Sequence, residues 1–403
     1  MSQKSEQRVI VCNTYSKPFI GGIESSLFYI SNSLIEDGED VIILASDRTP
    51  SGVRAESGME EGVWVERFVH PNRIWLLFEP LILVFTFWRY LKKKKWHKET
   101  RVICRSHLMV MSFLLYGMKN IVYVVPSIVE RSDTHVSHVL TGLDRFKDLI
   151  IRHIVVRQHI FIQNRVLKKS PFLMVLSRLM QNEVASIVSR DDISMCPPGV
   201  DHSRFFPSKT VRQDIRKRLG IEKRFVYLCV GRVVSIKCFP DILHALNLMS
   251  PCIREKISVL IVGDGLEYND LKRMVRQFKL DGCVHLLGAS QRPEDYYKAA
   301  DCFLMTSICE PFGQTITESL ASGIPVIAYK GEGVVTASED ILEDGYNGFF
   351  CTRDTMSLKE TMLSVQDMSK AAFQEVKQHC VASSYSYSWA HFAKACLDLV
   401  SKG

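Results

Sequence analysis

None of the twelve cysteines forms a C-x-x-C pair with another, so zinc ribbons and thioredoxin-like redox motifs are excluded. A chain of 403 residues needs no disulfide scaffold, and the cysteines read as small apolar core residues in a reducing cytosol. Glycine (22) and proline (14) are too sparse for a collagen-like or low-complexity chain. The longest apolar stretch, 74–88, is interrupted by Glu79 and Pro80 and falls short of the roughly 20 residues that a spanning helix needs. The polar start, 1–8, does not read as a secretory leader. A net charge of +7 is too small to argue for nucleic acid. No repeat of 20–50 residues is visible.

What remains is an ordinary globular composition, 46% hydrophobic and 24% charged. At roughly 100–200 residues per domain, two or three domains are expected. Short apolar runs at 8–13, 40–45, 101–105 and 120–125 alternate with helix-length segments such as 24–35. The second half repeats the pattern, with strands expected at 225–230, 257–262, 284–287, 302–306 and 325–328. Helices are expected between them at 241–249, 266–278, 293–300 and 314–322. Such alternation predicts parallel sheets with crossover helices, which bind ligands at the carboxyl ends of their strands. Pro197, Pro198 and Gly199 break the chain between the halves. The expected division is therefore 1–197, 198–386 and a terminal amphipathic helix in 387–403.

The basic charge is concentrated. Residues 89–178 hold 18 Lys+Arg against 5 Asp+Glu, a net of +13. Lys92, Lys93, Lys94 and Lys95 follow an aromatic run. Farther on, Lys147, Arg152, Arg157, Arg165, Lys168 and Lys169 interleave with Leu149, Ile150, Ile154, Val155, Ile160, Phe161 and Ile162. A basic helix with an apolar face reads as an anionic membrane surface binder; the competing reading is a solvated face above a core stripe.

The strongest chemical signal is E-P-F-G-Q-T-I-T-E, from Glu310 to Glu318. A strand should end before Glu310, and a helix should begin near Gln314. The free amides around Phe312, Gly313, Gln314 and Thr315 would then attract an anion. Glu318, one turn into that helix, could accept hydrogen bonds from a vicinal diol, and Glu310 from sugar hydroxyls. Phosphate at the helix start with a diol beyond it describes a nucleotide. Gly231 closes a strand and is followed by Arg232 and, five residues later, Lys237. A planar guanidinium and a point-charge ammonium can together neutralise a diphosphate. Gly21 and Gly22 could let backbone approach a ligand, and His107 should stand at the carboxyl edge of its sheet, facing the cleft between domains. The run Gly263-Asp264-Gly265 lacks the third glycine of a dinucleotide fingerprint, since position 268 is Tyr. It reads as a turn beside the nucleotide. No two aspartates are spaced D-x-D, a common metal clamp for nucleotide-sugar diphosphates, so Arg232, Lys237 and the helix start would have to supply that charge.

Taken together these motifs resemble glycosyltransferase family 4, retaining enzymes of GT-B fold. The resemblance rests on G-G-I-E at 21–24, His107, P-G-V-D at 198–201, G-R-x5-K at 231–237 and G-D-G at 263–265. It continues through E-x7-E at 310–318, D-G-x-N-G at 344–348 and Ser388-Trp389. It implies two Rossmann-like domains facing a cleft, with the last helix crossing back to the first. It also implies a nucleoside-diphosphate-sugar donor held mainly by the second domain. Arg232 and Lys237 would hold the diphosphate, Glu318 the ribose, and Glu310 with the amides of Phe312 and Gly313 the sugar. Gly21, Gly22 and His107 would approach from the first domain. The chain departs from the pattern at Pro198, where Asn is usual, and at Cys238, where Gly is usual.

The expected activity is hexose transfer to a hydroxyl acceptor without a metal or other cofactor. The expected acceptor is a lipid-linked saccharide of surface polysaccharide or lipopolysaccharide synthesis, met at the cytoplasmic face of the plasma membrane. A soluble small-molecule acceptor is the runner-up, and a catalytically silent sugar-nucleotide-binding protein is the alternative of another class. Glu310 and Glu318 are both assigned to hydroxyls, leaving no carboxylate as nucleophile. Transfer should therefore proceed by front-face attack, with the departing phosphate as base and His107 orienting the sugar or stabilising its charge.

Overall fold

The computed structural model describes residues 8–19, 21–71, 77–130 and 145–401, with side chains from 153 onward in the last segment. Residues 1–7, the start of the long apolar stretch and 131–144 of the basic segment lie outside the described residues. So do the side chains of Lys147, Leu149, Ile150 and Arg152. The chain forms two compact units, Met1–Pro198 with Trp389–Gly403, and Gly199–Ser388.

The first unit is built on an eight-stranded sheet. Its strands are β1 (Val9–Cys12), β2 (Val41–Ser46), β3 (Gly58–Glu60), β4 (Val63–Phe68), β5 (Arg101–Cys104), β6 (Ile121–Val124), β7 (Phe172–Val175) and β8 (Ile193–Met195). They lie in the order β3-β4-β2-β1-β5-β6-β7-β8 and are parallel except for the β3–β4 hairpin. β1 and β2 are buried along their whole length. Strands covered on both faces lose the period of two and read as continuous apolar runs, which is why they were legible. The helix Trp389–Val400 belongs to this unit, its Trp389 stacked on Tyr29 of the helix Gly22–Glu36 at 5.2 Å.

The second unit holds β9 (Phe225–Val230), β10 (Ile257–Val262), β11 (Val284–Gly288), β12 (Cys302–Met305), β13 (Cys309–Glu310), β14 (Val326–Lys330), β15 (Val335–Thr336) and β16 (Gly348–Thr352). Six form a parallel sheet in the order β11-β10-β9-β12-β14-β16, and β13 pairs separately with β15. The strand order reverses between β9 and β12, whose registered residues are Tyr227 and Cys302. In the first unit it reverses between β1 and β5, with Val9 beside Arg101. Such switch points open a crevice at the carboxyl ends of the strands, where the two connections leave in opposite directions. The core of the second unit packs Tyr227, Ile242, Leu243, Val259 and Ile261 against Leu358 and Met362. Of the twelve cysteines, ten are buried; Cys309 is half-buried and Cys252 exposed, and all are free thiols.

Candidate active site

At the switch point of the second unit, the loops after β9 and β10 lie backbone against backbone. Gly231 N–H donates to Val262 O at 3.0 Å, Gly263 N–H to Gly288 O at 2.8 Å, and Val233 N–H to Asp264 O at 3.0 Å. Gly263 has φ +150°, and a Cβ there would fall 1.8 Å from Gly231 O. A Cβ on Gly265 would fall 2.3 Å from Val233 O. These glycines are required by loop-against-loop packing. A single turn, Ser235–Lys237, follows β9, and Cys238 then takes the left-handed conformation (φ 48°, ψ 37°). This explains the usual glycine there.

The loop after β12 is clamped onto that turn. Thr306 Oγ1 donates to Lys237 O at 2.7 Å, and Ile308 N–H to Ile236 O at 3.0 Å. Pairing of β13 with β15 fixes Glu310, whose carbonyl accepts from Ala337 N–H at 3.0 Å. Two motifs 73 residues apart thereby meet: Lys237 Nζ donates to Glu310 Oε2 at 2.6 Å, with only 16% and 21% of the two side chains exposed. Beyond Pro311, Phe312 is buried edge-on to Tyr387 at 5.9 Å. Gly313 turns the chain with φ +89° and caps the helix Gln314–Ala321. Ile316 N–H is already bonded to Gly313 O at 2.8 Å, while the Gln314 and Thr315 amides before it have no carbonyl one turn back within the helix and are available to an anion. Gln314 is half-buried at this end, while the Thr315 hydroxyl turns toward Met305 Sδ at 3.8 Å.

Glu318 lies one turn farther on. Tyr297 OH donates to its Oε2 at 2.9 Å. The surrounding protein mass raises the Glu318 pKa from 4.5 to about 7, with Glu294 adding to the rise and the Tyr297 bond and Arg204 opposing it. Tyr297 is itself fixed, buried between Phe303 (stacked, 5.6 Å) and Phe205 (edge-on, 5.4 Å). Arg204 is held by Glu294 at 2.8 Å. None of these three supports was singled out from the sequence. Glu294 and Tyr297 lie on the helix Glu294–Ala299 and Arg204 in the turn after 198–201, and tertiary packing gives them their roles. Arg232 is exposed; its carbonyl accepts from Val234 N–H at 3.0 Å, and its guanidinium makes no hydrogen bond or ion pair among the described residues.

The first unit assembles its own switch point. Thr14 Oγ1 and Ser106 Oγ share a hydrogen bond at 2.6 Å across β1 and β5, and Arg105 N–H donates to Cys12 O at 2.9 Å. Gly21 precedes the helix Gly22–Glu36 in extended conformation (φ 179°). A Cβ there would meet only the movable carboxylate of Glu24, so neither dihedral nor backbone packing demands glycine. His107 opens the helix His107–Tyr116, and its Nε2 lies 2.8 Å from Nδ1 of His159. His159, on the helix Arg145–Lys169, was not anticipated; an isolated histidine in a basic helix carries no signal.

The basic segment divides. On the helix Arg145–Lys169, Val155, Ile162, Val166 and Leu167 are buried, so these aliphatics serve the core as the competing reading holds. Phe161, 59% exposed, remains outside with Arg157 and Arg165, whose guanidinium lies 5.5 Å from its ring centre. The helix Glu79–Lys94 turns Leu81 and Phe85 outward, with Lys92 Nζ 3.9 Å above Trp88 and Arg89 over Phe85. Among the described residues no helix is long and apolar enough to cross a membrane.

Comparison with known proteins agrees with this fold. Residues 211–374 match the family described as glycosyl transferases group 1. The mannosylfructose-phosphate synthase of Agrobacterium fabrum is 34% identical over 150 residues, which cover 35% of this chain and 33% of that protein. The alpha-monoglucosyldiacylglycerol synthase of Acholeplasma laidlawii is 24% identical over 60% of this chain and 61% of that one. The chain thus spans between a third and about three fifths of these relatives. Among solved structures, Anabaena Alr3699/HepE in complex with UDP-glucose superposes with a TM-score of 0.75 at 16% identity, covering 98% of this chain and 100% of that one. WaaG, a glycosyltransferase involved in lipopolysaccharide biosynthesis, gives 0.76 at 16% identity over 98% and 100%. The fold is GT-B, and the matched family segment lies within the second unit and spans every candidate residue of the E-x7-E and G-R-x5-K motifs.

Proposed function

We propose that the chain is a retaining glycosyltransferase that moves a hexose from a nucleoside-diphosphate sugar to a hydroxyl acceptor. The observation that carries this reading is the convergence of Lys237, Glu310 and the start of the helix Gln314–Ala321 at one switch point, with Glu318 a turn beyond. In this reading Arg232, Lys237 and the helix amides take the diphosphate, and Glu318 takes the ribose diol. Glu310 takes the sugar hydroxyls beside Phe312 and Gly313. Lys237 and Glu310 are in contact, so a donor spanning them has its scissile bond beside both. Charge grows on the departing diphosphate, and cations fixed beside it stabilise the transition state more than the ground state. Two cations and a helix start supply that charge without a metal, so activity should persist in EDTA. Both motif carboxylates are engaged with hydroxyls, which favours front-face attack with the phosphate accepting the acceptor's proton. His107 orients the sugar or stabilises its developing charge.

For the acceptor, we assign a lipid-linked saccharide at an anionic, cytoplasmic membrane face. The exposed Leu81, Phe85 and Phe161 beside Arg89, Lys92, Arg157 and Arg165 support it, as apolar tips and cations on neighbouring helices suit a headgroup layer. A soluble acceptor is the second reading, favoured by the relative named mannosylfructose-phosphate synthase. The deciding experiment is a thermal-shift screen of UDP-, GDP-, ADP- and TDP-hexoses, followed by NMR of the released or transferred sugar. A stabilising donor that is cleaved with its anomeric configuration kept is the expected result. Stabilisation without cleavage would identify a silent binding protein. A product of inverted configuration would refute the mechanism.

A further inference from the structure

In the first unit His107 is tied to a partner that no motif contains. Its Nε2 and His159 Nδ1 lie 2.8 Å apart, with the rings at 68° and their centres 5.1 Å apart. A bond of that length between two ring nitrogens requires a proton on one and a lone pair on the other. His107 also occupies the first position of the helix His107–Tyr116, where the partial positive charge of the helix start disfavours an imidazolium. A neutral His107 carries one ring proton. The occupancy of its Nε2 by His159 therefore dictates whether Nδ1 donates or accepts.

The partner is firmly held. One residue before it, Gln158 Nε2 donates to Leu77 O at 2.6 Å. Four residues after it, Gln163, 2% exposed, accepts from Val129 N–H and donates to Ser127 O, both at 2.8 Å. Val155, Ile162 and Val166 pack the same helix into the core. Side-chain amides on either side of His159 thus fix the helix's rotation and register against the loop after β6 and the segment leading into the helix Glu79–Lys94. A supporting group held this way transmits a defined geometry to the residue it touches.

We propose that His159 is a positioning residue that fixes the ring orientation and tautomer of His107. The inference rests on the assignment of His107 to the donor sugar, and the experiment separates the two. Histidine-selective 15N labelling reads the tautomer without any donor: His107 should show one tautomer in the native chain and a mixture in His159→Ala. Unchanged His107 nitrogen shifts in that variant overturn the inference. Turnover is then followed with UDP-glucose as donor probe. His159→Ala should lower kcat by at least about tenfold with the donor KM within twofold, because it misplaces a group acting in the transition state. His159→Gln, which can offer a donor or an acceptor, should recover part of the loss. The double variant His107→Ala/His159→Ala should be no slower than His107→Ala alone. Additive losses, or native kcat in His159→Ala beside an impaired His107→Ala, overturn the inference and leave the His107 assignment standing. Native kcat in His107→Ala overturns both. Melting curves of each variant identify any loss of fold, and His159→Gln then serves as the test.

Discussion

Replacing Glu318 by Gln should make the free protein more stable and its nucleotide binding weaker. The pKa of Glu318 rises from 4.5 to about 7, chiefly because its carboxylate is surrounded by protein. Its folded-state pKa lies above its unfolded one, so the folded chain holds a proton that the unfolded chain has released between these values. The resulting stability is fully present below about pH 4.5 and is lost as pH rises through about 7. At 1.36 kcal/mol per pKa unit the loss is about 3 kcal/mol. Gln cannot ionise and keeps an oxygen for Tyr297 OH. Glu318→Gln should therefore match the native chain near pH 4.5 and exceed it by up to about 3 kcal/mol at pH 8. Against this, in the proposed function a bound ribose would gain charge-assisted bonds from the carboxylate, and their loss should remove about 1.5–3 kcal/mol of affinity. All five tryptophans fall in the first unit, so unfolding around Glu318 is followed by hydrogen exchange of the helix Gln314–Ala321. UDP affinity is measured by calorimetry over the same pH range, and in the native chain it should strengthen as pH rises through 7. A stability difference independent of pH would refute the burial argument, and native affinity in the variant would refute the ribose assignment.

Arg232→Ala should leave stability within about 0.5 kcal/mol, because the exposed side chain has no partner among the described residues, while weakening diphosphate binding. Lys237→Ala should reduce kcat more than donor affinity and should also destabilise the free protein, since it strands the half-buried Glu310; combining it with Glu310→Gln should recover that stability in urea melts. Gly263→Ala should cost more than about 3 kcal/mol or abolish folding, because its Cβ overlaps Gly231 O at φ +150°; soluble protein of native stability would contradict the packing described. Changing Lys92, Lys93, Lys94 and Lys95 to Glu should lower co-sedimentation with phosphatidylserine vesicles at low salt, and equal binding to neutral and anionic vesicles would leave these lysines as a solvated face.

The legible parts of the fold were those whose signal is local. β9, β10 and β12 are runs of largely buried apolar residues bounded by loops, and Gly231 and Gly263 mark the carboxyl ends of the first two. The E-x7-E segment was legible because a strand, a Pro-Phe-Gly turn and a helix start follow one another in sequence. The β13–β15 pair was invisible, as two residues carry no period, yet it fixes the backbone of Glu310. β4 was missed because it pairs with the short antiparallel β3 near the sheet edge and carries Trp64 and Glu66 outward. Tyr297 and His159 could not be found from spacing: each is 21 or more residues from the group it touches, in a helix whose packing sets the contact. In the basic helix the same residues satisfied two patterns, and only packing separated Val155 and Ile162, which face the core, from Phe161, which does not.

The Lys237–Glu310 contact bears on how the site is held in shape. An ammonium and a carboxylate, each about four-fifths covered, would be costly to hold apart from water singly. Paired, each satisfies the other; in the proposed donor complex a diphosphate and sugar hydroxyls would take their places, exchanging partners instead of stripping water from isolated charges. The backbone around the pair is fixed independently of it: Thr306 holds the Lys237 carbonyl, β15 holds β13, and Gly313 sets the helix start. Rearrangement on binding can therefore be confined to side chains, which is the condition for preorganised electrostatic stabilisation. Cys238 is consistent with this rigidity. It adopts the left-handed conformation at a cost of roughly 1–2 kcal/mol for a residue with a Cβ. The turn Ser235–Lys237 before it and the helix Phe239–Asn247 after it flank that conformation.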